Sequence, residues 1–341
     1  MDSIDLFTAA RTGSLTGLPV EALTVVNLTT RNSSGHTPLH AIARRGLLHE
    51  LPAGMLTASL LATRNDSGYT VYHQAALGGH LDQIPSALLT HENLTLISNA
   101  GYTALHSAAG YGHLGQIPLG VLQTADLGQK THLGQTIFHE AAEHGALDRL
   151  PASLITPERL REKNISGETV FHVAALNGHL DQLPPELLTE DAILQTTNAG
   201  DTPIHSAAIA GHLGQIPAAL LNARTLVVAS KTGFTPIHAA AETGQLDRIP
   251  AKVLTAELLL TRNDNGDTPL HAAAFEGHLD QIPAELLTVE MIETRNYEGL
   301  TVGRIAVDRK CVDQIPEDVR PKPLGAFQRF MSKLGNTRAP F

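Results

Sequence analysis

Apolar and polar positions in the segment 268–288 follow a spacing that predicts two short helices. The Thr-Pro pair at 268–269 is suited to cap a helix and occupy its first position. The apolar residues that follow share one helix face, at i, i+3 and i+4: Leu270, Ala273 and Ala274. Gly277 is suited to end this helix as a left-handed cap. A second short helix is predicted after Pro283, with Leu286 and Leu287 as its apolar residues.

The same pattern recurs every 33 residues through most of the chain. A Thr-x-x-His motif appears eight times, and we call its members the ladder histidines: His40, His73, His106, His139, His172, His205, His238 and His271. A proline follows the same period from Pro19 to Pro316, and a glycine does so from Gly35 to Gly299. Three sets of residues in one register identify an internal repeat.

The repeat predicts the architecture of the chain. Helices of about two turns cannot bury an apolar face alone, but stacked copies can. We therefore predict an all-α solenoid of about ten 33-residue helix-turn-helix units over residues 1–320, followed by a C-terminal extension over 321–341. The first and last units are atypical caps, since Phe7 and Arg304 occupy the histidine position.

The consensus Gly-x-Thr-Pro-Leu-His-x-Ala-Ala-x-x-Gly-His resembles the ankyrin repeat in both period and residues. It is nearly complete at 35–46, 200–212, 233–244 and 266–278, and degraded at 68–80, 101–113, 134–145 and 167–179. The resemblance implies an ankyrin fold and a non-enzymatic protein-recognition function. It also implies that each ladder histidine bonds to neighbouring backbone and ties one repeat to the next.

One departure from the ankyrin pattern recurs. The usual Leu-Leu-x-x-Gly-Ala is replaced by Leu-Leu-Thr-x-Glu-x-Leu or a close relative, as at 90–94, 156–160, 255–259 and 288–292. Thr as an N-cap and Glu in the first turn would begin a further helical turn. We therefore predict a third short helix or 3₁₀ turn per repeat, with Leu94 and its equivalents packed inward.

Composition and charge exclude several classes of protein. The 341 residues hold a single cysteine, Cys311, so there is no disulfide framework and no cysteine-based metal site. The net charge is −10, and the stretch 320–341 carries five basic residues and no acidic one, so the rest stands at −15. That acidic body argues against general nucleic-acid binding. No apolar run is long enough to span a membrane, and the acidic first residues lack a secretory leader. We therefore expect a cytoplasmic monomer, or one delivered into a host cytoplasm without a cleavable signal.

No catalytic or metal-binding motif stands out. Five further histidines follow the cap glycines and belong to the repeat: His80, His113, His179, His212 and His278. Equivalent histidines in stacked helices about 8–10 Å apart cannot share one ion. No nucleophile elbow, phosphate loop or dinucleotide fingerprint is present. We therefore expect no catalytic residue, no metal and no cofactor, and we expect Cys311 to be a buried cap residue.

Positions that vary between repeats are the candidates for partner recognition. In the ankyrin family these positions are the loop tips and the inner helix face, which line a concave groove. Aromatic residues and arginine there are typical of binding hot spots, although exposed variable residues can also have drifted. The candidates are Arg44, Arg45, Tyr69, Leu77, Tyr102, Tyr111, His144, Phe234 and Phe275.

The C-terminal extension carries apolar residues at helical spacing with basic residues beside them: Leu324, Phe327, Phe330, Met331 and Leu334. It is predicted to be a helix that caps the last repeat, with a docking helix or a weak membrane-surface contact as alternatives. For the whole chain we expect binding of an unidentified partner protein. The alternatives are a bacterial or viral effector that blocks a target protein, and a small-ligand binder with a pocket between repeats.

Overall fold

The computed structural model describes residues 6–124 and 127–321. They fall into two compact units, unit 1 up to Leu220 and unit 2 from Leu221. Within the described ranges every regular element is helical, and the only β-pairing is two isolated bridges, Arg64 with Thr70 and Arg295 with Thr301. No helix in these ranges is long and apolar enough to cross a membrane. The predicted C-terminal helix lies outside the described residues.

The first helix of the repeats forms where the sequence predicts it, between the threonine of the Thr-x-x-His motif and the glycine that follows the helix. A threonine caps it: the Thr37 hydroxyl oxygen accepts from the His40 amide, and the Thr70 hydroxyl does the same for His73. A left-handed glycine such as Gly46, at φ +74°, usually ends it. Unit 1 contains α1 (Leu6–Thr12), α2 (Pro38–Arg45), α3 (Val71–Gly78), α4 (Ala104–Gly110), α5 (Ile137–His144), α6 (Val170–Asn177) and α7 (Pro203–Ala210). Unit 2 contains α8 (Pro236–Glu242), α9 (Pro269–Glu276) and α10 (Val302–Asp308).

The second short helix predicted after Pro283 is present as a 3₁₀ turn, and the equivalent segments of other repeats form 3₁₀ turns as well. Pro85 shows the reason: it is extended at ψ 130°, Ile84 before it is extended too, and Leu89 lies outside helical space. Too few residues then remain for an α-helix before the next cap. The turns are Val20–Ala22, Leu48–Glu50, Leu81–Gln83, Ser86–Leu88, Leu114–Gln116, Leu147–Arg149, Ala152–Leu154, Leu180–Gln182, Pro185–Leu187 and Leu213–Gln215 in unit 1, and Leu246–Arg248, Leu279–Gln281, Ala284–Leu286, Val312–Gln314 and Glu317–Val319 in unit 2. An α-helix, Leu119–Thr124, replaces the second turn in one repeat.

The predicted third short helix is confirmed in eight of the repeats. Its N-cap Thr90 accepts a hydrogen bond from the Asn93 amide, and Leu94 is fully buried. The equivalents of Leu94 are also fully buried: Leu28, Leu61, Leu160, Ile193, Leu226, Leu259 and Ile292. These helices are Val25–Thr29, Ala58–Leu61, His91–Leu94, Pro157–Leu160 and Glu190–Ile193 in unit 1, and Ala223–Leu226, Ala256–Leu259 and Val289–Ile292 in unit 2.

Consecutive first helices pack side by side, from α1 to α7 within unit 1 and from α8 to α10 within unit 2. Small alanines at the contact faces, such as Ala75 and Ala76, are fully buried and let the helices approach closely. Aliphatic residues of the turns and third helices fill the space beside them, as Leu81 and Leu94 do. The core of each unit is thus a continuous row of aliphatic side chains, and the loop tips and one helix face remain accessible.

Candidate functional site

The ladder histidines are held by two kinds of hydrogen bond. Within a repeat, Nδ1 accepts from the backbone N–H of the capping threonine at 2.9–3.3 Å in all eight cases. Between repeats, Nε2 of seven of these histidines reaches a carbonyl oxygen 29 residues further on; His73, for example, lies 2.9 Å from the Tyr102 oxygen. Because an amide N–H can only donate, Nδ1 is the acceptor and the ring proton is on Nε2. Each of these seven rings therefore joins two repeats, which supports the structural role that the resemblance implies.

Burial keeps these rings neutral. It lowers the pKa to about 4 for five of them: His40, His73, His106, His139 and His172. The carbonyl that each Nε2 meets offsets part of this effect. Since both ring nitrogens of His73 are engaged, such a ring could bind a metal ion only by giving up a hydrogen bond.

The histidines after the cap glycines also connect repeats. His113 Nδ1 lies 2.8 Å from the Ala76 carbonyl oxygen of the preceding repeat. Its ring covers the cap Gly79, where an added Cβ would come within 2.8 Å of Nε2. In the last repeat Cys311 takes this place, and its thiol donates to the Ala274 carbonyl at 3.3 Å. Burial raises the pKa of the Cys311 thiol, so it favours the unreactive neutral form.

A row of glutamines forms a third connection between repeats, which the sequence reasoning missed. Gln281 is an example: its Nε2 donates to the Gly244 carbonyl at 2.8 Å, and its Oε1 accepts from the Leu246 amide at 3.0 Å. Both groups belong to the preceding repeat. Equivalent Nε2 bonds are made by Gln83, Gln116, Gln182, Gln215 and Gln314. The available signal was a glutamine two positions before the repeated proline.

The structure brings three candidate tyrosines of unit 1 into one area. Tyr69 and Tyr102 stack with ring centroids 6.4 Å apart, and each ring meets the edge of its own ladder histidine. These two rings are half-buried, whereas Tyr111 is 43% exposed and lies 5.3 Å from the ring of His144. Burial, together with the nearby carboxylate of Glu140, raises the pKa of both Tyr69 and Tyr102.

Two carboxylates on α5 lie beside these rings. Glu140 is 4% exposed, and its Oε1 has no hydrogen-bond partner among the residues that the structure describes. Burial and the neighbouring Glu143 raise the pKa of Glu140 to about 7, while the Tyr102 hydroxyl and His144 favour the ionised form. Glu140, Glu143 and His144 offer ligand atoms within 4.8 Å of one another. We call Tyr69, Tyr102, Tyr111, Glu140, Glu143 and His144 the tyrosine patch; its chemistry suits a cationic group.

The sequence reasoning found His144 but missed the two glutamates. It weighed histidine pairs as metal ligands and did not consider carboxylates at i and i+3 on the same helix face. His144 Nδ1 is bonded to the Glu140 carbonyl oxygen at 3.0 Å, so Nε2 is the nitrogen that faces other groups.

The remaining candidates of unit 1 lie on neighbouring helices. Arg44 and Arg45 are exposed at the end of α2, and one Arg44 nitrogen is 3.4 Å from Gln74 Oε1 on α3. Leu77, also on α3, is half-buried.

In unit 2 the two candidate phenylalanines line one cleft. The cleft has a volume of about 450 Å³ and lies along α8, α9 and α10. Phe275 is 50% exposed, and Phe234 is half-buried with its ring tilted against His238. We call this site the phenylalanine cleft. Sequence reasoning placed both rings on the recognition surface but gave no reason to expect a cavity between them.

Comparison with known families agrees with this architecture. Residues 138–225 match a model of three tandem ankyrin repeats, and residues 265–289 match the single ankyrin repeat. No curated protein matches the chain. The matched segments share the 33-residue period, the Thr-capped helices and the histidine bonds of the repeats around them. The molecule is a helical repeat protein that contains ankyrin repeats in the matched segments, and ankyrin repeats are generally protein–protein interaction modules.

Proposed function

We propose that the chain is a non-enzymatic recognition module that binds a partner protein through the tyrosine patch of unit 1. The observation that carries this proposal is the arrangement of three tyrosine rings at the surface, two of them stacked, beside two carboxylates. Aromatic rings at this kind of position supply much of the binding energy in protein interfaces.

The surrounding structure favours binding without rearrangement. Tyr69 and Tyr102 are held by each other and by their buried ladder histidines, so they lose little rotamer freedom when a partner binds. Tyr111 is exposed enough to insert into a partner surface. Glu143 is exposed as well, so the patch favours a partner with basic groups in the matching position.

Site-specific photo-crosslinking tests this proposal. A photoreactive phenylalanine analogue would be placed at position 111, in the patch, and in a matched protein at position 119. Leu119 is 51% exposed in the same repeat and does not belong to the patch. Both proteins would be irradiated in lysate of the source cell, and the crosslinked products identified by mass spectrometry.

We expect a defined protein to crosslink at position 111 and not at position 119. Capture of that protein by the unmodified chain should be lost with Tyr111→Ala and with Glu143→Lys, and retained with Leu119→Ala. Equal crosslinking at both positions, or capture that survives both patch variants, would reject the tyrosine patch as the binding surface.

A further inference from the structure

The phenylalanine cleft is lined by both aromatic and acidic side chains. Phe234 and Phe275 supply the rings, and five carboxylates line the space: Glu242, Asp267, Glu276, Glu298 and Asp308. Arg309 is the one arginine or lysine among the lining residues, which also include His238 and His271. The cleft therefore carries a clear excess of negative charge, and its volume of about 450 Å³ lies within the ~300–1,000 Å³ typical of ligand pockets.

Two of the five carboxylates already have partners. Asp308 is paired with Arg304 at 2.7 Å, and Asp267 accepts a hydrogen bond from the Asn296 side chain at 2.8 Å. The other three, Glu242, Glu276 and Glu298, are exposed, and none of them forms an ion pair within the described residues. These three carboxylates are available to a cation that enters the cleft.

Arg309 shows which cation the aromatic wall accepts. Its guanidinium carbon lies 3.4 Å from the centroid of the Phe275 ring, a close cation–π contact. Arg309 is exposed, and within the described part of the chain it forms no ion pair. One face of the Phe275 ring thus already binds a guanidinium, while the three available carboxylates of the cleft remain uncompensated.

We propose that the phenylalanine cleft binds the guanidinium group of an arginine carried by a segment of the partner protein. The planar guanidinium can stack on the phenylalanine rings and donate two parallel hydrogen bonds to one carboxylate, which a lysine ammonium cannot do. This inference rests on the proposed function only in taking a protein as the partner. It concerns unit 2, whereas the tyrosine patch lies in unit 1.

A peptide probe tests the cleft directly. The probe is a fluorescein-labelled peptide of four Gly-Arg pairs, and its binding to the full chain is measured by fluorescence anisotropy in about 150 mM salt. Two matched peptides replace arginine by lysine, or by citrulline, which keeps the shape and removes the charge. The cleft variant is the triple substitution Glu242→Gln, Glu276→Gln, Glu298→Gln.

A second triple variant controls for net charge. Glu257, Glu285 and Glu290 are exposed residues of unit 2 that do not line the cleft, so their change to Gln removes the same charge elsewhere. Phe275→Leu removes the ring without changing charge. Far-UV circular dichroism of each variant checks that the repeats remain folded.

The cleft triple variant and Phe275→Leu should each weaken binding of the arginine peptide at least tenfold, and the control triple variant should change it less than twofold. The lysine peptide should bind several-fold more weakly, and the citrulline peptide should not bind. Equal losses in both triple variants would show a diffuse charge effect and overturn the proposal. So would citrulline or lysine peptides that bind as well as arginine, or an arginine peptide that fails to bind the unmodified chain at about 1 mM. Each of these results leaves the crosslinking at position 111 unaffected, so failure here is distinguishable from failure of the proposed function.

Discussion

Replacing Glu140 by Gln should stabilise the protein at neutral and alkaline pH and have little effect in acid. Glu140 is almost fully buried and lies near the charge of Glu143, and one of its carboxylate oxygens has no hydrogen-bond partner within the described ranges. These conditions raise its pKa to about 7, against an ordinary value of 4.5. The folded chain therefore holds a proton that the unfolded chain releases.

The sign of the effect follows from proton linkage. Between pH 4.5 and 7 the folded state binds one proton more at this site, so the free energy of unfolding falls as pH rises. This decrease in the free energy of unfolding is complete above about pH 7 and absent below about pH 4.5. The pKa difference corresponds to about 3 kcal/mol, and a neutral Gln does not incur this cost.

Urea unfolding followed by circular dichroism between pH 5 and pH 8 measures the effect. The increase in the free energy of unfolding caused by Glu140→Gln should be about 2–3 kcal/mol larger at pH 8 than at pH 5. Glu186, exposed in a turn of unit 1, provides the control: Glu186→Gln should give a small difference that does not change with pH. The reasoning is refuted if Glu140→Gln has the same effect at pH 5 and pH 8, or if NMR shows the Glu140 carboxyl titrating near pH 4.5.

Other predictions concern the fold. His73→Ala should lower the free energy of unfolding by at least about 2 kcal/mol, because it leaves a buried cavity and removes the donor to the Tyr102 carbonyl. A chelator should leave the melting temperature of the unmodified chain unchanged. The five ladder histidines with a pKa near 4 should lower the free energy of unfolding as pH falls from 6.5 toward 4, because the unfolded chain then binds more protons than the folded chain. A free energy of unfolding that stays constant over this range would contradict their burial as neutral rings. Gly145→Ala should lower the free energy of unfolding by about 1–3 kcal/mol, because φ at this position is +69° and the new Cβ would lie 2.8 Å from the His179 ring. A thermal melt measures this loss of stability. If residues 322–341 cap the array, their deletion should lower the melting temperature; an unchanged melt with loss of partner or vesicle binding would indicate a docking element.

The repeat itself made most of the fold predictable. Thr37 and Gly46 define the start and end of a helix through local backbone chemistry, and the 33-residue period predicts the same helix in most other repeats. The inward packing of Leu94 was likewise predictable, because a Thr cap places it on the first turn that faces the core. The 3₁₀ turns after Pro85 were not, since they depend on how few residues separate two breaks in the chain.

The candidate sites were less predictable, because they depend on contacts between repeats. The position of Glu140 is occupied by Ala, Gln, Ser or Val in the other seven repeats that have a ladder histidine. The sequence at this position therefore does not indicate that a carboxylate here is buried beneath Tyr102. Tyr69 and Tyr102 occupy a slot that sequence reasoning treated as solvent-facing, yet they cover each other and are half-buried. The cleft in unit 2 arises from side chains of three helices and has no signature in any one of them.

The bonds that join repeats have a consequence for folding speed. Histidine rings reach 29 or 37 residues along the chain, and glutamine amides reach 35 or 37. These separations stay constant however many repeats are added. Divided by the length of 341 residues, each separation is about 0.1, so the bonds that join repeats are as local in sequence as the contacts of helical proteins that fold within milliseconds. Each folded repeat provides the surface on which its neighbour packs. A longer chain therefore folds through more steps of the same kind, and no single step becomes slower.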